Sequence, residues 1–297
     1  MYSQITANKR KTWFLIFLFT LIILALGWTF GAWMGNETSG IVLAAIIATL
    51  MTLIGYYRGD KVALAVSGAK EVHKQDAPEL YRLIENLCIA DGLPTPKVYL
   101  IDDPSPNAFA TGRDPEHASV AVTTGLLHIM EKAELEGVLA HELSHVKNYD
   151  VRVMTLVVVL VGVVLLFSDW MTRAVFYGGN RKNSDRESSA GVLFLIGLVL
   201  ALLSPLFAQL IKLAVSRSRE YLADASGVLL TRYPDGLARA LEKIAKMDQP
   251  LKRPNHATAH LYLANPFDPH VTKKFEQLFS THPPIEERIR KLKEAGS

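Results

Sequence analysis

The chain is poor in the residues that staple small secreted folds. Its single cysteine, Cys88, excludes an intrachain disulfide and fits a reducing compartment, and the residue reads as a small buried apolar group. The net charge of +3 is too small to argue for nucleic acid, and no basic cluster with interleaved aromatics occurs. No internal repeat is visible, and low complexity is confined to the apolar runs. The N-terminal apolar run is long for a signal peptide and has no convincing cleavage site.

Long apolar stretches, by contrast, are plentiful. Hydrophobic residues make up 49% of the chain while 21% are charged, a mixture that implies separate apolar spans and polar parts. Trp13 to Trp33 is long enough to cross a bilayer and follows Lys9, Arg10 and Lys11. A polar turn at Gly35 to Ser39 leads into a second run, Gly40 to Tyr57, followed by Arg58 and Lys61. Cations flank both ends of this hairpin and none lie in its turn. The positive-inside rule therefore places the N-terminus and the chain after Tyr57 in the cytoplasm. Two further apolar runs, Met154 to Phe167 and Gly191 to Val215, are joined by a loop carrying Arg173, Arg181, Lys182 and Arg186. That charge argues against translocation, and whether this pair spans fully or forms a shallow hairpin stays open. The expected organisation is a transmembrane hairpin over residues 1–58 and a domain over 59–297, interrupted by the second hairpin at about 153–215.

Between the hairpins the chain alternates helix and strand signals. Asp76 to Gly92 is amphipathic, with Leu80, Leu83, Ile84 and Leu87 on one side. Lys97 to Ile101 and Ser119 to Thr123 read as short strands. Lys132 to Asp150 has helical character throughout, with Gly137 the only weak point.

The chemistry is concentrated in that last stretch. His141-Glu142-Leu143-Ser144-His145 reads HExxH. On a helix, positions i and i+4 share a face, so two imidazoles can address one metal, with Glu142 beside them as a base. A hydrolytic metal site needs a third protein ligand. The HExxHxxGxxH pattern fails, because Asn148 and Val151 stand where Gly and His would be. The best alternative is Glu220, with Asp224 one turn later on the same face, available to bond a ligand histidine. By spacing alone this pair is equally well an ordinary acidic helix face. His256 and His260 repeat the i,i+4 spacing without an adjacent Glu, in a Pro- and Asn-rich stretch that reads as a solvated loop.

HELSH, then SRxxExxAD at Ser216, Arg217, Glu220, Ala223 and Asp224, together with Asn107-Ala108-Phe109-Ala110-Thr111-Gly112 and Thr281-His282-Pro283-Pro284, resemble the HtpX family of membrane-bound zinc metalloproteases, related to the CAAX prenyl proteases. The resemblance covers nearly the whole chain. It implies a mainly α, α+β fold: integral membrane helices plus a zincin-like metalloprotease domain with a small antiparallel or mixed sheet. It implies one Zn2+ per chain held by His141, His145 and Glu220, Glu142 as the catalytic base, and Asp224 behind a ligand histidine. His282 and Asn107 would steady the transition state. Asn107, Ala108, Phe109, Ala110, Thr111 and Gly112 would form an edge strand to which an extended substrate adds. The implied partners are the lipid bilayer and misfolded or damaged membrane proteins, in a quality-control and stress-response role at a bacterial inner membrane. A homo-oligomer or association with other membrane proteases is compatible with the chain. The alternatives are a narrow-specificity prenyl-type C-terminal protease and a non-catalytic adaptor with structural zinc. An exposed zinc would digest its neighbours, so a gate is expected at Asp103 to Glu116 or Asp248 to Pro269.

Overall fold

The structure is a computed structural model that describes residues 2–33, 35–162, 216–247, 250–264, 266 and 283–296. The second apolar hairpin beyond residue 162 and the expected candidate His282 lie outside these residues.

Two long helices, α1 (Tyr2–Trp33) and α2 (Glu37–Val66), form an antiparallel hairpin. Both are long and apolar enough to cross a membrane. Trp13, Phe14, Phe17, Leu21, Ile46, Leu50 and Leu53 are exposed along them, as lipid-facing residues are in a protein seen without its bilayer. Asn36 caps α2, its side chain accepting from the Ser39 amide. Each helix runs beyond the apolar stretch read from sequence: α1 begins about three turns before Trp13, and α2 continues past Tyr57.

The chain then enters a domain built on a four-stranded sheet, β1 (Lys70–Glu71), β2 (Lys97–Ile101), β3 (Ala108–Gly112) and β4 (Ala118–Thr123). The order is β1-β2-β4-β3, with β2 and β4 parallel and the other pairs antiparallel. The sheet is thus mixed and small, and every residue of β3 and β4 is buried. Helix α3 (Pro78–Asp91) supplies Leu80, Leu83, Ile84 and Leu87 to the core, as its periodicity predicts, and ends at Gly92 with φ 70°. Cys88 lies in that core, fully buried.

A short helix, α4 (Thr124–Ile129), precedes the central helix α5 (Lys132–Lys147). Helix α5 is enclosed by β3, α3, α7 (Arg217–Thr231) and α8 (Pro234–Lys246). Gly137 has a positive reason to be there. A Cβ at this position would lie 2.7 Å from the Leu237 amide nitrogen, so the close crossing of α5 and α8 requires glycine. Glu134 is buried on α5 but paired with Lys243 of α8 at 2.6 Å, and Lys147 pairs with Asp91.

The helix does not continue to Asp150 as its composition suggests. Asn148 terminates α5, and Tyr149 adopts a left-handed conformation with φ 60°. A new helix, α6, starts at Asp150 and runs to the end of the described segment at 162. The last helix, α9 (Ile285–Gly296), packs on α8 and α7.

Candidate metal and catalytic centre

Helix α5 presents His141, Glu142 and His145, and α7 crosses it closely enough to bring Glu220 and Asp224 alongside. Gly227 sits at the crossing, where a Cβ would stand 3.2 Å from the His141 amide nitrogen, a tight contact. All five side chains are nearly or fully buried.

His141, His145 and Glu220 offer ligand atoms that lie within 4.8 Å of one another. The two Nε2 atoms are 3.2 Å apart. Glu220 places Oε2 3.7 Å from Nε2 of His141 and Oε1 3.5 Å from Nε2 of His145. The other ring nitrogens are committed elsewhere: His141 Nδ1 lies 2.9 Å from Asp224 Oδ1, and His145 Nδ1 lies 3.1 Å from Asp150 Oδ2. With each Nδ1–H given to a carboxylate, both Nε2 lone pairs turn toward Glu220. Two nitrogen lone pairs and a carboxylate converging in a buried space call for a positive charge between them.

The acid–base balance points the same way. Burial works against a charged His145, yet the Asp150 hydrogen bond and the Glu220 carboxylate outweigh it and raise the imidazole to about 9. His141 is lowered, chiefly by burial, although Asp224 pulls it upward. A site that draws a proton to His145 this strongly also suits a divalent cation, which can use all three donors at once. The donor set fits a metal.

Glu142 also reaches β3, where its Oε2 accepts a 2.9 Å hydrogen bond from the Ala110 amide. Burial pushes its carboxyl up to about 7, with Glu220 adding to the rise. A carboxylate near neutrality is poised to take a proton and return it.

Two partners of the site escaped sequence reasoning. Asp150 sits five residues beyond His145, a spacing that faces away on a continuous helix, and only the break at Tyr149 swings it back. Arg288, on α9, is buried and forks onto Asp224, with Nε 2.9 Å from Oδ2 and Nη2 2.7 Å from Oδ1. Burial alone would raise the Asp224 carboxyl, but Arg288 and His141 beside it hold it well below the usual carboxylate range. Neither partner carried a local motif to reveal it.

Strand β3 lies at the margin of the sheet, and its outward edge is already engaged. The Leu263 amide donates to the Ala108 carbonyl at 3.0 Å, Ala110 donates to Glu142, and Gly112 donates to the Thr155 hydroxyl at 3.0 Å. The Asn107 side chain pairs with the backbone of Ala264 in both directions, at 3.0 and 3.2 Å. The two stretches expected to control access are joined here too: buried Asp103 accepts from the Lys252 amide at 2.7 Å. His260 is not solvated. It is buried, with Nε2 3.0 Å from the Met154 carbonyl oxygen on α6, whereas His256 is exposed.

Comparison with known protein families matches residues 74–296 to peptidase family M48. The chain belongs to peptidase family M48. Across the curated proteins this M48 peptidase is 46% identical over 295 residues to a protein named Protease HtpX homolog from Dictyoglomus turgidum, covering 99% of this chain and 95% of that one. It is 48% identical over 297 residues to a protein of the same name from Tropheryma whipplei strain Twist, covering 100% and 99%. Among solved structures, the crystal structure of S. mikatae Ste24p superposes with a TM-score of 0.52 at 18% identity, covering 98% of this chain and 67% of that one, a likeness of fold. With its two membrane-type helices and its His-His-Glu cluster, this M48 peptidase is a membrane-bound metalloprotease.

Proposed function

We propose that the chain is a zinc endopeptidase of a bacterial inner membrane, with His141, His145 and Glu220 as metal ligands and Glu142 as the catalytic base. The convergence of those three ligands, each histidine backed by its own aspartate, is the observation that carries this reading. Zinc suits two imidazoles and one carboxylate with a position left open, and when bound it supplies an acidified water and polarises the scissile carbonyl.

The chain's own residues do the rest. Asp224 and Asp150 hold the Nδ1 protons and so fix both imidazole tautomers. Glu142 accepts the proton of the attacking water as its oxygen bonds to the carbonyl carbon, then delivers that proton to the amine as the C–N bond breaks. Strand β3 recognises the backbone of an extended peptide, which tolerates varied sequences. Asn107 and His282 are the groups assigned by family resemblance to steady the transition state, and Asn107 would have to exchange its pairing with Ala264 to do so.

The substrate class we assign is misfolded or damaged membrane proteins. Backbone recognition without a required side chain supports it, as does the short distance between site and membrane helices. The cations outside both ends of the α1–α2 hairpin support a cytoplasmic domain, and the apolar run beyond residue 162 supports a multi-pass chain. In this organisation residues 1–58 anchor a protease domain of residues 59–297 that the second apolar hairpin, at about 153–215, interrupts.

The test is cleavage of an unfolded protein by the detergent-purified chain with zinc restored, beside Glu142→Ala, with bound zinc measured in both. Cleavage by the parent alone, with zinc in both, is the expected result. Retained cleavage by Glu142→Ala would remove Glu142 from its role.

A further inference from the structure

The first membrane helix reaches the metal centre. Asn8, one turn before the apolar run of α1, is 1% exposed. Its Nδ2 donates to Asp150 Oδ1 at 2.7 Å and to the Asn148 carbonyl at 2.9 Å. The second bond satisfies a carbonyl at the end of α5, where no helical partner exists. Its Oδ1 lies 3.5 Å from Arg219 Nη1, and the same guanidinium nitrogen is 3.4 Å from Asp150 Oδ1. The other oxygen of Asp150 is the one that holds His145 Nδ1.

The rest of α1 is arranged to keep Asn8 there. Asn8, Thr12, Leu15 and Phe19 form one buried stripe at helical spacing. Leu15 and Phe19 join the apolar cluster of Val153, Val157 and Leu160 on α6. Lys9 places its ammonium 4.8 Å from the centre of the Tyr149 ring, at the break that turns Asp150 inward. An amide suits the position because it donates to a carboxylate and accepts from a guanidinium at once.

We propose that Asn8 is a positioning residue of the metal site: it fixes the carboxylate of Asp150 and, through it, the orientation of the His145 imidazole. This rests on the reading that His141, His145 and Glu220 hold a divalent metal. In this arrangement the N-terminal helix is part of the catalytic apparatus as well as an anchor, because the Asp150 oxygen opposite His145 takes its shortest hydrogen bond from α1.

The test uses the full chain in detergent, loaded with Co2+ so that the visible spectrum reports the ligand field. Asn8→Ala and Asn8→Asp are compared with Phe19→Ala, which loosens α1 without touching the hydrogen-bonded chain. Partners behind a metal ligand typically alter affinity by about 10–100-fold. One layer further out, both Asn8 variants are expected to lose roughly tenfold in Co2+ affinity, to shift the cobalt spectrum and to lower kcat with KM little changed. Phe19→Ala is expected to lower Tm and leave the spectrum in place. Parental affinity and spectrum in both Asn8 variants would overturn the inference while leaving the metal site standing, and so would identical spectral changes in Phe19→Ala. A parent that binds no Co2+ would overturn the metal reading and this inference together.

Discussion

The Ala110 amide of β3 donates to Glu142 Oε2 at 2.9 Å, so one strand serves both as the margin of the sheet and as the clamp on the proposed base. Since the Ala110 N–H points off the outer edge of β3, a peptide aligned along that edge would run beside the carboxylate that acts on it. Glu142→Gln keeps an acceptor for this amide but cannot take a proton. We expect it to retain its fold and bound metal while kcat falls by about 10²–10⁴-fold. Metal analysis beside a cleavage assay decides this, and loss of metal would show that Glu142 has a structural share in the site.

Arg288 and Asp224 are both buried and joined by two short hydrogen bonds. Removing only the arginine leaves a carboxylate enclosed beside His141. Arg288→Ala is expected to cost about 3–5 kcal/mol, and Arg288→Lys to recover only part of it, since an ammonium cannot reproduce the fork. Denaturation in detergent measures both variants. A loss below about 1 kcal/mol in Arg288→Ala, the range of exposed pairs, would mean that solvent reaches Asp224.

The Leu263 and Ala264 backbone stands where a peptide adding to β3 would pair. A substrate that binds by adding to β3 would therefore displace it from Ala108 and Asn107. Hydrogen exchange of the Glu142→Gln variant, with and without a peptide substrate, should show faster exchange at Leu263 and Ala264 when peptide is bound. Unchanged or slower exchange there would place the peptide elsewhere.

Cys88 supplies a pH-dependent probe away from the metal. Burial, with help from Asp91 and Glu85, pushes its thiol from 9.0 up to about 12. The native state thus favours the neutral thiol. The stability this contributes is fully present below about pH 9 and is lost as pH rises from there toward about 12. Alkylation at pH 9 should be slow in the folded chain and fast after denaturation. Equal rates in the two states would show that the core around α3 opens readily.

The sequence by itself determined what is periodic. His141 and His145 share a face because they are four residues apart on a helix, and Glu220 and Asp224 do so for the same reason. The apolar runs of α1 and α2 follow from composition, α3 from its helical periodicity and the strands from their alternation. Tertiary structure decided which of these faces meet and what stands behind them. The Asp150 partnership required a break at Tyr149 that overrode helical propensity. Arg288 arrives from 64 residues beyond Asp224, and Asn8 from 142 residues before Asp150. Leu263 reaches Ala108 across a comparable gap. Local patterns record neighbours within a turn or two of helix or along a strand. Contacts between distant segments are set by how whole elements pack, and here the close crossing of α5 and α8 needs a glycine at Gly137 whose purpose shows only once the two helices are in place.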